Sequence, residues 1–182
     1  KLQLEDAFKE LLLEKTFHKI TIKDLMDKCH ISRIAFYYHF QDLYDLIEWI
    51  LIEDARKALN EKKNYAHWKE GLSNIFEAVY INKPFMLNVY HDISRDKIEK
   101  ILFKLVYELV ESVVEERSKD ILILNQQKDF IAHFYKCGFV GVMLDWIDSG
   151  MNEEYQTILD DLEMTVLGTI DLSIQNFTNK KK

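Results

Sequence analysis

Arg33, Tyr37 and Tyr38 lie within six residues, in the run R33-I-A-F-Y-Y-H-F40. A guanidinium and two phenols spaced this way leave one helix on its outer side. The same run sends Phe36 and Phe40, with Ile31 just before it, to the inner side. Adjacent outward tyrosines are unusual on a face that only meets water. Their hydroxyls can meet phosphates, and their rings can touch sugars or thymine methyls. Arg33 can reach a guanine edge or a phosphate.

Other reactive spacings are weaker. Asp129, His133 and Cys137 fall four apart on one apolar helix, a spacing that can seat zinc. Three ligands along one helix make an incomplete site, and a cysteine there is also a good core residue, so no metal is expected. The sequence has no glycine-rich phosphate loop, nucleophile motif or convincing carboxylate pair, so no enzyme is expected. No cofactor is expected beyond a small-molecule effector. Aromatics and a methionine of the fifth to eighth helices, with one histidine, are the candidates to line an effector pocket: Phe76, Tyr80, Met86, Tyr90, Phe103, Tyr107 and His133.

The elements that hold these residues read as helices throughout. Five glycines and one proline in 182 residues are too few for a sheet fold rich in turns. Periodicity predicts about nine helices: 2–14, 22–28, 33–39, 43–60, 66–82, 84–91, 95–119, 127–148 and 153–176. Thr21 with Asp24 reads as a capping box, and Ser32 as an N-cap. Asp42 and Ser94 are expected caps, 61–65 is a polar connection, and Pro84 marks the strongest break. Two short helices joined by about three residues form a helix-turn-helix, whose second helix enters the major groove. The exposed N–H groups after Thr21 are expected to hold a further phosphate. The fold class is therefore all-α: a DNA-binding head at 1–45 and a helical effector-binding and dimerisation body at 46–178.

At this point the residues resemble a known family. The stretch T21-I-K-D-L-M-D-K-C-H-I-S-R-I-A-F-Y-Y-H-F-Q-D-L-Y-D-L46 is similar to the DNA-binding signature of TetR-family regulators. The resemblance covers about the first 50 residues. It implies a three-helix head on a dimerising helical body, with Thr21, Arg33, Tyr37 and His39 in DNA-contacting positions. Ser32, Ile34, Ala35 and Tyr38 complete the expected DNA-facing set. A narrower resemblance, F134-Y-K-C-G-F-V-G-V-M-L-D-W-I-D-S-G-M151, is to the C-terminal domain of regulators of the dihydroxyacetone-kinase-operon type. Several positions depart from the head pattern. His30 stands where a turn glycine is usual and is expected at positive φ. Ile34 and Ala35 replace the common Gly and Thr, and Leu43 replaces a lysine, so two phosphate contacts are missing.

Charge and apolar pattern set the partners. Residues 1–40 carry seven Lys/Arg against six Asp/Glu, while the remainder carries seventeen against twenty-five. A locally basic head on an acidic body suits a DNA reader. Within 15–33 the cations are Lys15, Lys19, Lys23, Lys28 and Arg33. The eighth helix is apolar on nearly all sides, so it is central in a large core or buried twice. With the ninth it is expected to form a twofold four-helix interface through Phe139, Met143, Trp146, Ile158, Leu162, Val166 and Ile170, helped by Gly138 and Gly141. Two separated cysteines and no visible leader or long apolar run place the chain in the cytoplasm, away from membranes. The expected role is a ligand-responsive repressor, binding a near-palindromic operator as a homodimer. The alternative is a regulator-fold protein that works through a protein partner with weak or no DNA binding of its own.

Overall fold

A computed structural model describes residues 1–59, 68–92 and 95–179. The expected connection at 61–65 and the cap at Ser94 lie outside the described residues. The order is α1 (Leu2–Glu14), a 3-10 turn at Phe17–Lys19, α2 (Ile22–Cys29), α3 (Arg33–His39), α4 (Leu43–Leu59), α5 (Trp68–Ile81), α6 (Lys83–Asp92), α7 (Arg95–Arg117), α8 (Asn125–Asp148), α9 (Tyr155–Val166) and α10 (Thr169–Asn179). No strand occurs among the described residues.

The head forms as its local signals dictate. Leu4, Ala7, Phe8, Leu11 and Leu12 of α1 recur on one face and are buried, and Leu25, Phe36 and Phe40 close onto them. The head then continues into the body without a seam. Phe8 meets Phe85 of α6 edge-on at 6.3 Å, and Asn88 Nδ2 donates to Leu12 O at 3.1 Å. Phe17 packs on Tyr44 at 5.0 Å. Lys9 of α1 reaches both Glu5 and Asp54 of α4 at 2.7 Å.

In the body, α7 is the central strut. Its buried residues, from Ile98 through Leu102, Leu105 and Leu109 to Val113, form a stripe that packs on α4, α5 and α8. Helix α8 is long and apolar enough to cross a membrane, but over half of its most apolar window is packed inside the chain. That packing corrects the expected interface. Phe139, Met143, Trp146, Ile158 and Ile170 are all buried in the chain's own core. Phe139 stacks on Trp68, and Trp146 meets Phe76 and Tyr80. Leu162 and Val166 are half-buried against that core. The apolar residues that α8 does leave outside are Phe130, Phe134 and Val142.

The expected ninth helix is divided. Gly168, at φ +74°, separates α9 from α10 after Leu167. Leu162, Val166 and Ile170 keep helical spacing across the break, which is why the spacing alone reads as one helix.

Candidate nucleic-acid interface

The interface begins with two helix starts. Thr21 N–H and Oγ1–H both donate to Asp24 Oδ2 at 2.7 Å, and Asp24 N–H donates back to Thr21 Oγ1 at 3.2 Å. This is the expected capping box. It occupies the Thr21 side chain, so what α2 offers a phosphate is backbone N–H, at Ile22 and Lys23, ahead of the first bond from Leu25 N–H to Thr21 O. Lys15 lies 2.9 Å from Asp24 Oδ1. That ammonium, with the Thr21 donors, holds the Asp24 carboxyl down at about 2.

Between α2 and α3, His30 takes φ 55°, ψ 37°, the left-handed conformation expected where a glycine is usual. Ser32 then caps α3 by accepting from Ala35 N–H at 3.2 Å. Phe36 and Phe40 anchor α3 from beneath, and Phe36 is wholly buried. Ser32, Arg33, Ile34, Ala35, Tyr37, Tyr38 and His39 are all exposed on the outside of α3. Arg33 lies over the Tyr37 ring, 5.6 Å from its centroid, with Nη2 3.5 Å from the hydroxyl. Tyr38 meets His39 edge-on at 4.9 Å. Arg33, Ile34, Tyr37 and Tyr38 line one shallow open depression. The eight head residues singled out from sequence thus sit at the start of α2 and along the outside of α3, with the Thr21 side chain taken up by its own capping box.

The basic head is smaller than its composition. Lys28 is held by Glu10 at 3.0 Å and Glu14 at 2.9 Å, and Lys15 by Asp24. Of the five cations in 15–33, Lys19, Lys23 and Arg33 meet no carboxylate among the described residues. Leu43 packs against the core, and Asp42 Oδ1 caps α4 by accepting from Asp45 N–H at 2.9 Å.

The seven residues expected to line an effector pocket fall into separate groups. Phe76 and Tyr80 belong to an aromatic cluster with Trp146 and Tyr155. Phe103 and Tyr107 lie under Lys136, which also approaches His133 Nδ1 at 3.2 Å. Tyr90 is buried near Asp148, and burial pushes its phenol up. Met86 alone of the seven lines the cavity of about 30 Å³ between α4, α5, α6 and α7. Two polar residues missed from sequence, Asp54 and Asn82, stand at that cavity among apolar neighbours. Asp54 sits in an unbroken amphipathic helix, where its only sequence signal is one acid among others. His133 Nε2 lies 3.7 Å from Cys137 Sγ on the exposed side of α8, and no group of three metal-ligating side chains occurs among the described residues.

The family described as "Transcriptional regulator C-terminal region" (TetR_C_8) matches residues 66–168, more than half of the chain. A relative from Lactococcus lactis subsp. lactis (strain IL1403), the HTH-type dhaKLM operon transcriptional activator DhaS, is 25% identical over 151 residues. The match spans 81% of this chain and 79% of that protein. A solved structure of a dihydroxyacetone kinase operon activator DhaS superposes with a TM-score of 0.73 at 20% identity. It covers 93% of this chain and 95% of that one, a likeness of fold.

Proposed function

The chain belongs to the TetR family of transcriptional regulators, and from that membership we propose that it binds a near-palindromic operator as a homodimer under control of a small-molecule effector. The observation that carries the reading is the outer face of α3, where Arg33, Tyr37 and Tyr38 stand exposed on a helix anchored by Phe36 and Phe40. Residues 1–45 read the duplex, and residues 46–178 join the copies and take the effector. The protein is not an enzyme. It works in the cytoplasm, on double-stranded DNA.

Twofold pairing is supported by what α8 leaves uncovered. Phe130, Phe134 and Val142 form an exposed apolar stripe, with Gly138 and Gly141 between them. A Cβ on either glycine would meet nothing within 4 Å, so the chain's own packing does not require them. Small residues beside exposed phenylalanines let a second α8 approach closely. Met164, Leu167 and Leu172 add exposed apolar surface on α9, α10 and the link between them. The effector is placed in the cavity at Asp54, Asn82 and Met86, which at about 30 Å³ must open before a drug-sized molecule enters. It acts by favouring one separation of the two heads over another.

Selection of duplexes from a random pool by the full chain tests the reading. Arg33→Ala and Tyr37→Ala should each weaken binding to the selected duplex about tenfold with the fold intact. Unchanged affinity in both variants would remove α3 from the interface. The sign of control has two readings. The sequence led to repression, whereas the Lactococcus relative is named an activator. Transcription in vitro from a promoter carrying the operator separates them, falling for a repressor and rising for an activator.

A second reading has the chain work through a protein partner. Ala35, Leu43 and the internal pairing of Lys15 and Lys28 favour it, because each removes a phosphate contact. Absence of duplex binding even at low salt would select this reading, while binding that falls steeply with salt selects the first.

A further inference from the structure

Ile34 is 83% exposed at the second position of α3, so its side chain contributes almost nothing to folding. Tyr38, one turn later on the same side, is also 83% exposed. The side chains beside Ile34 leave its position without a polar group of their own. The Ser32 hydroxyl accepts from Ala35 N–H, Ala35 has no polar side chain, and Arg33 is drawn over the Tyr37 ring. The N-terminal turn of a recognition helix is the part that meets base edges. In this chain that turn presents, beside the Arg33 guanidinium, the methyl and methylene groups of Ile34 and the methyl of Ala35, where hydrogen-bonding side chains could otherwise read a base.

We propose that Ile34 is a specificity-determining residue that selects a thymine in each half-site by covering its 5-methyl group. Thymine is the base that carries a methyl in the major groove, so an apolar side chain there discriminates by burial and needs no hydrogen bond. The exposed isoleucine, which stands where a glycine is common, thereby gains a role that its burial in the free chain does not give it. This rests on the head binding duplex DNA, and it adds which base the first turn of α3 reads and how.

The test uses the full chain and its selected duplex. Thymines of one half-site are replaced singly by deoxyuridine, which removes the methyl and leaves every hydrogen-bonding group in place. One position should show about fourfold weaker binding, the effect of one buried methyl-sized group. With Ile34→Ala, thymine and uracil duplexes should bind equally well at that position. Because Ile34 is exposed, the circular dichroism and urea midpoint of the variant should match the parent. If no position distinguishes thymine from uracil, or if Ile34→Ala keeps the same discrimination, the assignment is overturned while DNA binding stands. If the chain enriches no sequence at all, the reading of the head as a sequence reader falls first and this assignment with it.

Discussion

Lys9 Nζ lies 2.7 Å from Asp54 Oδ2 and 2.7 Å from Glu5 Oε1, so one ammonium on α1 bridges its own helix to α4. All three side chains are mostly covered, Lys9 the least at 26% exposed. Burial opposes the charge on each. For Lys9 the two carboxylate bonds outweigh it and raise the amine, whereas for Asp54 burial prevails and the carboxyl is raised. Lys57 stands 3.8 Å from Glu5 Oε2 as a more distant cation. The charge of Lys9 therefore fastens the head to the helix that leads into the body.

Lys9→Met should lower stability by about 2 kcal/mol, because it strands two covered carboxylates. Urea unfolding measures it. Combining it with Asp54→Leu should return part of the loss. A single-variant loss no larger than that of an exposed lysine would mean the bridge carries no weight.

The Asp24 carboxyl is held near 2 by Lys15 and Thr21, below its ordinary 3.8. A depressed folded value means that the contribution is complete above 3.8 and is lost as pH falls toward about 2. Asp24→Asn should narrow the gap in thermal midpoint between the two proteins across that interval. A gap of equal size at pH 5 and pH 2 would assign the effect of Asp24 to something other than its charge.

His30 holds φ 55° without being glycine. His30→Gly should raise stability by up to about 1 kcal/mol, since relief of the left-handed strain exceeds the added chain entropy. His30→Val should lower it by more than that. Urea midpoints decide, and a destabilised glycine variant would show that the imidazole itself is needed.

Gly138→Leu and Phe134→Asp should each convert the proposed dimer to monomer in sedimentation velocity while far-ultraviolet dichroism stays unchanged. Open space around Gly138 and exposure of Phe134 protect the fold of the single chain. Retention of twice the chain mass in both would move the twofold contact off this face of α8.

Legibility followed the range of the interaction. Thr21 with Asp24, Ser32 with Ala35 and His30 in its turn are decided within three or four residues, so local chemistry foretold them. The pairs Lys9–Asp54 and Lys28–Glu14 join residues far apart in the chain, and the sequence offered them only as scattered charges. Helix α8 shows a different limit. Apolar residues surround it, so periodicity could not say which side meets the chain's own core, and Phe139 and Trp146 went inward while Phe130 and Phe134 stayed out. The break at Gly168 was hidden because the apolar spacing runs straight across it.

Lys15 and Lys28 are already matched by the head's own acids. A chromosome offers a regulator millions of wrong addresses for each right one, and loose attraction to any of them removes copies from circulation. A head that has spent part of its positive charge on itself is less easily held at those addresses. For the proposed operator reader, control then depends on recognition of the site more than on abundance.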